Sequence, residues 1–446
     1  MTSTENIFWN TLRGPRRWLE PWYGSYAMLG AVSSGLIPVL LPLMMEAISH
    51  SLATVGYVVG AFNLGALTSP FWGNLADRRK IYRPIFFGGF ILEMAALVAF
   101  PLAPGLLGWL PIALLMGTGS AAVATCATLF VVEFHPREQW TPRIGWLQTF
   151  NGTGQVAGLL LAGMFAAVSY RLGLWTGAGM LAVGLALGFM SAPRSGVKSG
   201  GKPLLTAGSN QRGLGLQFNE LARFSRVELL GGGLLKHFHV LNVAALKNLP
   251  KLLPTRFGRF ILSWFFLFLG VAGFFAYFPL FMRTSFGVAP ATTSLAYAIA
   301  AGGGVMLYNL AGQWALRFGA ERIYFLGRAA RLVGFLLLLG LMALQPGAAA
   351  TGAALTGFAL VVLSWPVISV TGTELTSDLS PISQGAAQGL NNAANAVATV
   401  AGTYMAGLLV HFGGYICIPL LSIGGLLASL AAEGPWLRRA KEKGGS

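Results

Sequence analysis

Residues 52–83 read LATVGYVVGAFNLGALTSPFWGNLADRRKIYR. From Leu52 to Trp72 there is no charge. Crossing the roughly 30 Å hydrocarbon core of a bilayer takes about 20 such residues in a helix, so this stretch is one membrane crossing. Directly after it, Gly73 to Arg83 holds four cations (Arg78, Arg79, Lys80 and Arg83) and a single acid, Asp77. An uncharged helix closed by a basic turn sets the pattern for the whole chain.

The composition agrees. Of 446 residues, 55% are hydrophobic and only 10% charged, with a mean hydropathy of +0.65; a soluble protein carries about 25% charged residues. Twelve apolar runs of crossing length follow one another. Six run Tyr23 to Met45, Leu52 to Trp72, Pro84 to Leu102, Leu107 to Phe134, Ile144 to Ala167 and Leu172 to Met190. Six more run Phe260 to Phe281, Ala291 to Ala315, Ile323 to Leu344, Ala348 to Val370, Gln384 to Val410 and Tyr415 to Ala432. The fold expected is all-α and membrane-integral, with twelve transmembrane helices in two six-helix bundles. It divides into an N-tail (1–22), a first bundle (23–192), a basic linker (193–259), a second bundle (260–432) and a C-tail (433–446).

The net charge of +16 would suggest a nucleic-acid partner in a soluble chain. Here 28 of the 30 Lys and Arg fall in alternate connecting segments, and only Arg171 and Arg283 fall in the others. By the positive-inside rule, both termini and the linker are expected in the cytoplasm, with the protein in the cell (inner) membrane and no nucleic acid bound. In the linker, Leu234, Phe238, Leu241, Ala245, Leu249 and Leu252 share a helical face opposite Lys236, Lys247 and Lys251. That pattern fits a helix lying on anionic lipid; a disordered tether is the alternative. Cys126 and Cys417 sit in apolar runs and form no disulfide framework. His237 and His239 are too few for a metal site, and Pro203 spoils the phosphate-loop pattern of Gly196 to Lys202. No cofactor, metal or enzymatic constellation is expected.

The halves repeat each other. At an offset of 244, Gly145 to Gly163 matches Gly389 to Gly407 at 7 of 19 positions. Small residues spaced by four, Gly154, Gly158, Ala162 and Ala398, Gly402, Ala406, make a stripe for close helix packing. Beside it, Gln148, Asn151 and Gln155 share one face with matching Asn392, Asn395 and Thr399. A polar cavity wall and plain interhelical hydrogen bonding both explain that face.

The turn Gly73-Asn-Leu-Ala-Asp77-Arg78-Arg-Lys80 resembles the signature of the major facilitator superfamily. Its echo in the second half, offset by 239, is Gly312-Gln-Trp-Ala-Leu-Arg317-Phe-Gly319. The resemblance implies alternating-access transport, with Gly73, Asp77 and Arg78, and more weakly Gly312 and Arg317, forming a conformational latch on the cytoplasmic side. It implies that Gly73 lets the second helix pack closely. Gly35-Leu-Ile-Pro38-Val-Leu-Leu-Pro42 is similar to the first helix of drug-efflux members. Four positions depart from the family: Lys80 replaces glycine, Leu316 the second copy's acid, Leu159 the antiporter proline and Ala113 a buried arginine.

Within the spans, Glu93 is the conspicuous mid-span acid. A protonated carboxyl costs far less in lipid than an anion, which makes Glu93 the candidate for proton coupling; structural pairing with a neighbouring helix is the other reading. Tyr26, Ser33, Trp264 and Trp365 join the polar faces as candidate cavity residues. Helices 1, 7 and 10 contribute no mid-span Arg, Lys or Asp, which favours a neutral, cationic or amphipathic organic solute that stacks on aromatic rings. Export of such a solute is the leading reading, solute uptake or uniport the second. A transporter-like scaffold recruiting partners through the linker is the reading from another class.

Overall fold

The computed structural model describes residues 19–136, 139–193, 254–344, 350–382 and 384–433. Among these the secondary structure is helical. In the first half lie α1 (Tyr23–Ser49), α2 (Leu52–Ala66, resuming as Ser69–Arg79), α3 (Tyr82–Ala99), α4 (Gly105–Phe134), α5 (Trp140–Val168) and α6 (Tyr170–Ser191). In the second lie α7 (Arg256–Phe286), α8 (Pro290–Phe318), α9 (Ala320–Leu344), α10 (Ala350–Asp378), α11 (Gln384–Gly413) and α12 (Cys417–Glu433). Ten are long and apolar enough to cross a membrane. α8 makes an eleventh when its two parts, bent by 44°, count as one span, and α12 is apolar but only 17 residues long. These helices are consistent with the twelve runs read from the sequence, although α7 begins at Arg256, ahead of the expected Phe260. The amphipathic helix expected in the linker, His237, His239 and the tails apart from residues 19–22 and 433 fall outside the described residues.

Each half is a bundle with its own core. In the first, α1 packs on α5 and α6, and α3 on α4 and α6; in the second, α7 packs on α11 and α12, and α9 on α10 and α12. The small-residue stripe sets close crossings in both halves. A methyl group on Gly154 or Gly158 would overlap the carbonyls of Ala27 and Ala31 in α1, and one on Gly402 would overlap the Leu269 carbonyl in α7. The duplicated stripe thus builds the same crossing twice, α1 on α5 and α7 on α11. Helix α1 is not uniform: Gly30–Leu36 widens to a π-helix just before Pro38, an irregularity frequent at functional sites.

The halves meet where α2 faces α11 and α5 faces α8. Helices α1, α5, α7 and α11 rise from the face bearing the Gly73 to Lys80 turn, here the basic face, to the opposite face; α2 and α8 descend. Tyr277 donates to the Leu52 carbonyl, Asn63 to the Thr403 hydroxyl at 3.2 Å, and Arg283 to Glu46 at 2.8 Å. All three bonds lie midway along the helices or toward the opposite face.

Candidate functional site

Glu93 is fully buried on α3. Its Oε1 accepts a 2.5 Å hydrogen bond from Ser33, which projects from the π-helical stretch of α1, and its Oε2 is buried with no partner among the described residues. No described ion pair includes it. Ser33, expected on the cavity wall, is therefore the carboxyl's partner. The site combines a single neutral donor, an irregular helix and a buried carboxyl with no ion-pair partner among the described residues.

The polar face of α5 finds protein partners. Gln148 pairs with the Tyr26 hydroxyl, Asn151 donates to the Tyr26 carbonyl at 3.5 Å, and Gln155 reaches across to Tyr297 on α8. In α11 the Thr399 hydroxyl donates to Asn395 at 3.2 Å, while Asn392 is exposed. Interhelical bonding thus accounts for the three residues of α5, whereas the α11 bond lies within its own helix; Gln148 and Asn392 are the exposed members in the two halves. Trp264 is 3% exposed and packed among Phe260, Phe268 and Tyr324, inside the second bundle rather than on an open wall. Trp365 is half-buried on α10, edge-on to Phe268 and in hydrogen-bond contact with Tyr308.

Two charges are not where the topology count put them. Arg328 and Arg331, counted with the basic side, are 1% and 0% exposed inside the second bundle. A helix rises about 1.5 Å per residue, so starting a span at Ile323 already carries Arg331 roughly 12 Å along it. The signal was available: both arginines lie within the apolar run that begins at Ile323. Arg328 is neutralised by Glu433 of α12 at 2.6 Å, bonds Ser263 and Ser429 at 3.2 and 3.3 Å, and lies over the Tyr324 ring. Arg331 donates from Nε to Ser364 on α10 at 2.8 Å, with its guanidinium 5.9 Å from the Trp365 ring. Its Nη1 and Nη2, and Trp264 Nε1, are buried with no hydrogen-bond partner among the described residues.

A family model described as Major Facilitator Superfamily matches residues 23–403. The chain belongs to that superfamily. As a member it is a multi-pass integral membrane protein and a transporter of some solute. Among solved structures, the nucleoside transporter NupG superposes with a TM-score of 0.69 at 12% identity, covering 93% of this chain and 96% of that one. A D-xylose-proton symporter gives 0.60 at 16%, covering 92% and 95%. Both likenesses speak to fold. Multidrug resistance protein 2 of Bacillus subtilis (strain 168) is 27% identical over 139 residues, 31% of this chain and 34% of that protein.

The superfamily signature sits at the end of α2. The side chains of Asp77 and Arg78 are outside the described set, so the latch expected of them has no geometry here. Gly73 does not mark a close crossing: a methyl group on it would meet Thr125 at an ordinary 3.5 Å. Close packing of α2 on α4 occurs at Gly65 and Gly117 instead, where an added methyl would run into backbone of the other helix. Likewise Gly312 has open space around it, and Arg317 is exposed, lying against Phe318. Lys80 pairs with Glu133 of α4 at 2.9 Å. Beside it, Glu20 binds Trp22, His135 and Arg143, a cluster that no spacing in the sequence brings together.

Proposed function

We propose that the protein is a proton-coupled secondary transporter that exports a small amphipathic organic solute by alternating access, the two bundles rocking about a site between them. The observation that carries coupling is Glu93. It is a fully buried acid held by one hydroxyl at an irregular turn of α1, so gain or loss of its proton acts directly on the helix that crosses α5 and touches α7. The bonds of Glu46 to Arg283 and Leu52 to Tyr277 draw the halves together toward the opposite face. With the basic segments in the cytoplasm, this is the state closed toward the outside. The likeness of the paired-proline helix to efflux members, and the partial similarity to a multidrug resistance protein, support export. The buried positive charge of Arg331 argues against a cationic solute.

Proteoliposomes test this with a chemically broad set of radiolabelled organic solutes, with and without a pH gradient. Gradient-driven flux is expected, and Glu93→Gln is expected to retain exchange while losing the dependence on the gradient. Flux down the solute's own gradient alone would establish a uniporter, and no flux of any solute would reject transport. A variant lacking residues 200–250 separates the scaffold reading, since a transporter keeps its flux without that segment.

A further inference from the structure

Within one turn of α9 the structure provides its own comparison. Arg328 has a carboxylate at 2.6 Å, two hydroxyls and a ring. Arg331, three residues on and equally buried, has one hydroxyl, on Nε, and a more distant ring, Trp365 at 5.9 Å. The fork of its guanidinium, Nη1 and Nη2, is left without a partner among the described residues, and no described ion pair includes it. An uncompensated buried ion is costly, and the fork is shaped for two parallel bonds to a carboxylate or phosphate. In the same bundle Trp264 Nε1 is another buried donor without a partner among the described residues, and ring contacts run from Trp264 through Phe268 to Trp365, whose ring lies 5.9 Å from the Arg331 guanidinium. Arg328 leaves only its Nε without a partner among the described residues and has both fork nitrogens paired, as a structural arginine would; Arg331 shows the reverse. A guanidinium fork without an acceptor among the described residues, beside a run of aromatic rings, suits an amphipathic anion.

Resting on the transporter reading above, we infer that Arg331 anchors the oxyanion group of the transported solute, a carboxylate or phosphate, and that Trp264 and Trp365 take up its apolar body. Trp365, half-buried and tied to Tyr308, is the least buried member of this group. The charge that α9 buries is thus completed by cargo. The half containing Glu93 handles the proton and the half containing Arg331 handles the anion, on α3 and on α9, the third helix of each bundle.

The test uses the full-length protein in nanodiscs of phosphatidylcholine and follows its thermal unfolding while matched probes are titrated. The probes are decanoate with decanamide, 4-phenylbutyrate with its amide, and phenyl phosphate with phenol. At least one anion is expected to bind about 10- to 100-fold more tightly than its neutral match, the scale of one buried charge-assisted pair. Arg331→Gln should abolish that ratio, and Arg331→Lys, which keeps the charge but loses the fork, should reduce it. Arg328→Gln should lower the unfolding temperature and leave the ratio in place. No preference for any anion in the wild type, or a ratio that survives Arg331→Gln, overturns the assignment. Should Arg331→Gln fail to fold, Arg331→Lys decides: an unchanged ratio overturns it. Repeating the titration in phosphatidylglycerol discs tests a lipid headgroup as the source. If that lipid stabilises the wild type but not Arg331→Gln and blocks the probes, the site belongs to lipid and the solute assignment falls. Flux measured on the same proteins keeps the two readings apart. Anion preference without flux rejects transport and leaves the site, whereas flux of acids and amides alike rejects the site and leaves transport.

Discussion

Arg283 near the end of α7 donates to Glu46 near the end of α1 at 2.8 Å, an ion pair that crosses from one half of the protein to the other. It is about one-third exposed on each side, so it contributes on the order of 1 kcal/mol at most. In a rocking transporter that amount is enough to tilt a balance. Glu46→Gln should enlarge the population open toward the opposite face by about fivefold, the effect of roughly 1 kcal/mol. Distances between spin labels at His50 and Ala289, with Cys417 replaced, would register this as growth of the longer component. An unchanged distribution would show that the pair does not hold the halves.

The glycines of α5 look alike in the sequence and differ in the structure. Gly158 lies against the Ala31 backbone, whereas Gly145 has open space around it. Adding a methyl group at Gly158 forces the α1 crossing apart, a cost of about 1–3 kcal/mol. At Gly145 the same change removes a flexible residue from a helix and is neutral or gains up to about 1 kcal/mol. Thermal unfolding in detergent should therefore separate Gly158→Ala from Gly145→Ala, and equal melting temperatures would contradict the crossing.

That contrast also shows what a sequence carries. The apolar runs, the duplicated stripe and the Gly73 to Lys80 signature made the helical membrane fold and its family legible, because each follows from local composition and spacing. Glu93 was legible as a buried acid for the same reason. Its partner Ser33 was not, because the pairing depends on how α1 widens at Gly30–Leu36 and where α3 crosses it. Arg331 was misplaced because counting charges by connecting segment treats an arginine near a helix start as exposed. Its place eight residues into the apolar run from Ile323 was the signal to read instead, and the structure adds its partner, Ser364. Gln155 and Tyr297 belong to different halves, and no periodicity within one helix could pair them.

Glu20 shows how a group outside the spans responds to pH. Burial alone would push its carboxyl up. The hydrogen bonds of His135 and Trp22 and the charges of His135 and Arg143 outweigh that and hold it below the ordinary 4.5. A folded-state value below the unfolded one means stability that is whole above about pH 4.5 and is lost as the pH falls through the depressed value. Glu20→Gln should thus cost about 1–2 kcal/mol near neutrality, with the variant and the wild type converging in acid. Melting curves of both from pH 7 down to pH 3 would check this, and a difference that stays constant across that range would refute it.

Lys80 closes α2 in the left-handed region, with φ of 54°, at the position where the superfamily signature has glycine. A side chain in that conformation costs on the order of 1 kcal/mol, which glycine avoids. Against the cost stands the pair with Glu133, but its groups are 63% and 40% exposed and the pair contributes little. Comparing Lys80→Gly with Lys80→Ala isolates the backbone, because both variants lose the ion pair and only alanine keeps the strain. The glycine variant should be the more stable of the two by about 1 kcal/mol and at least as stable as the wild type. Thermal unfolding measures both differences. If alanine and glycine prove equal, the end of α2 does not adopt the left-handed turn, and the signature's glycine must be explained by contacts rather than by conformation.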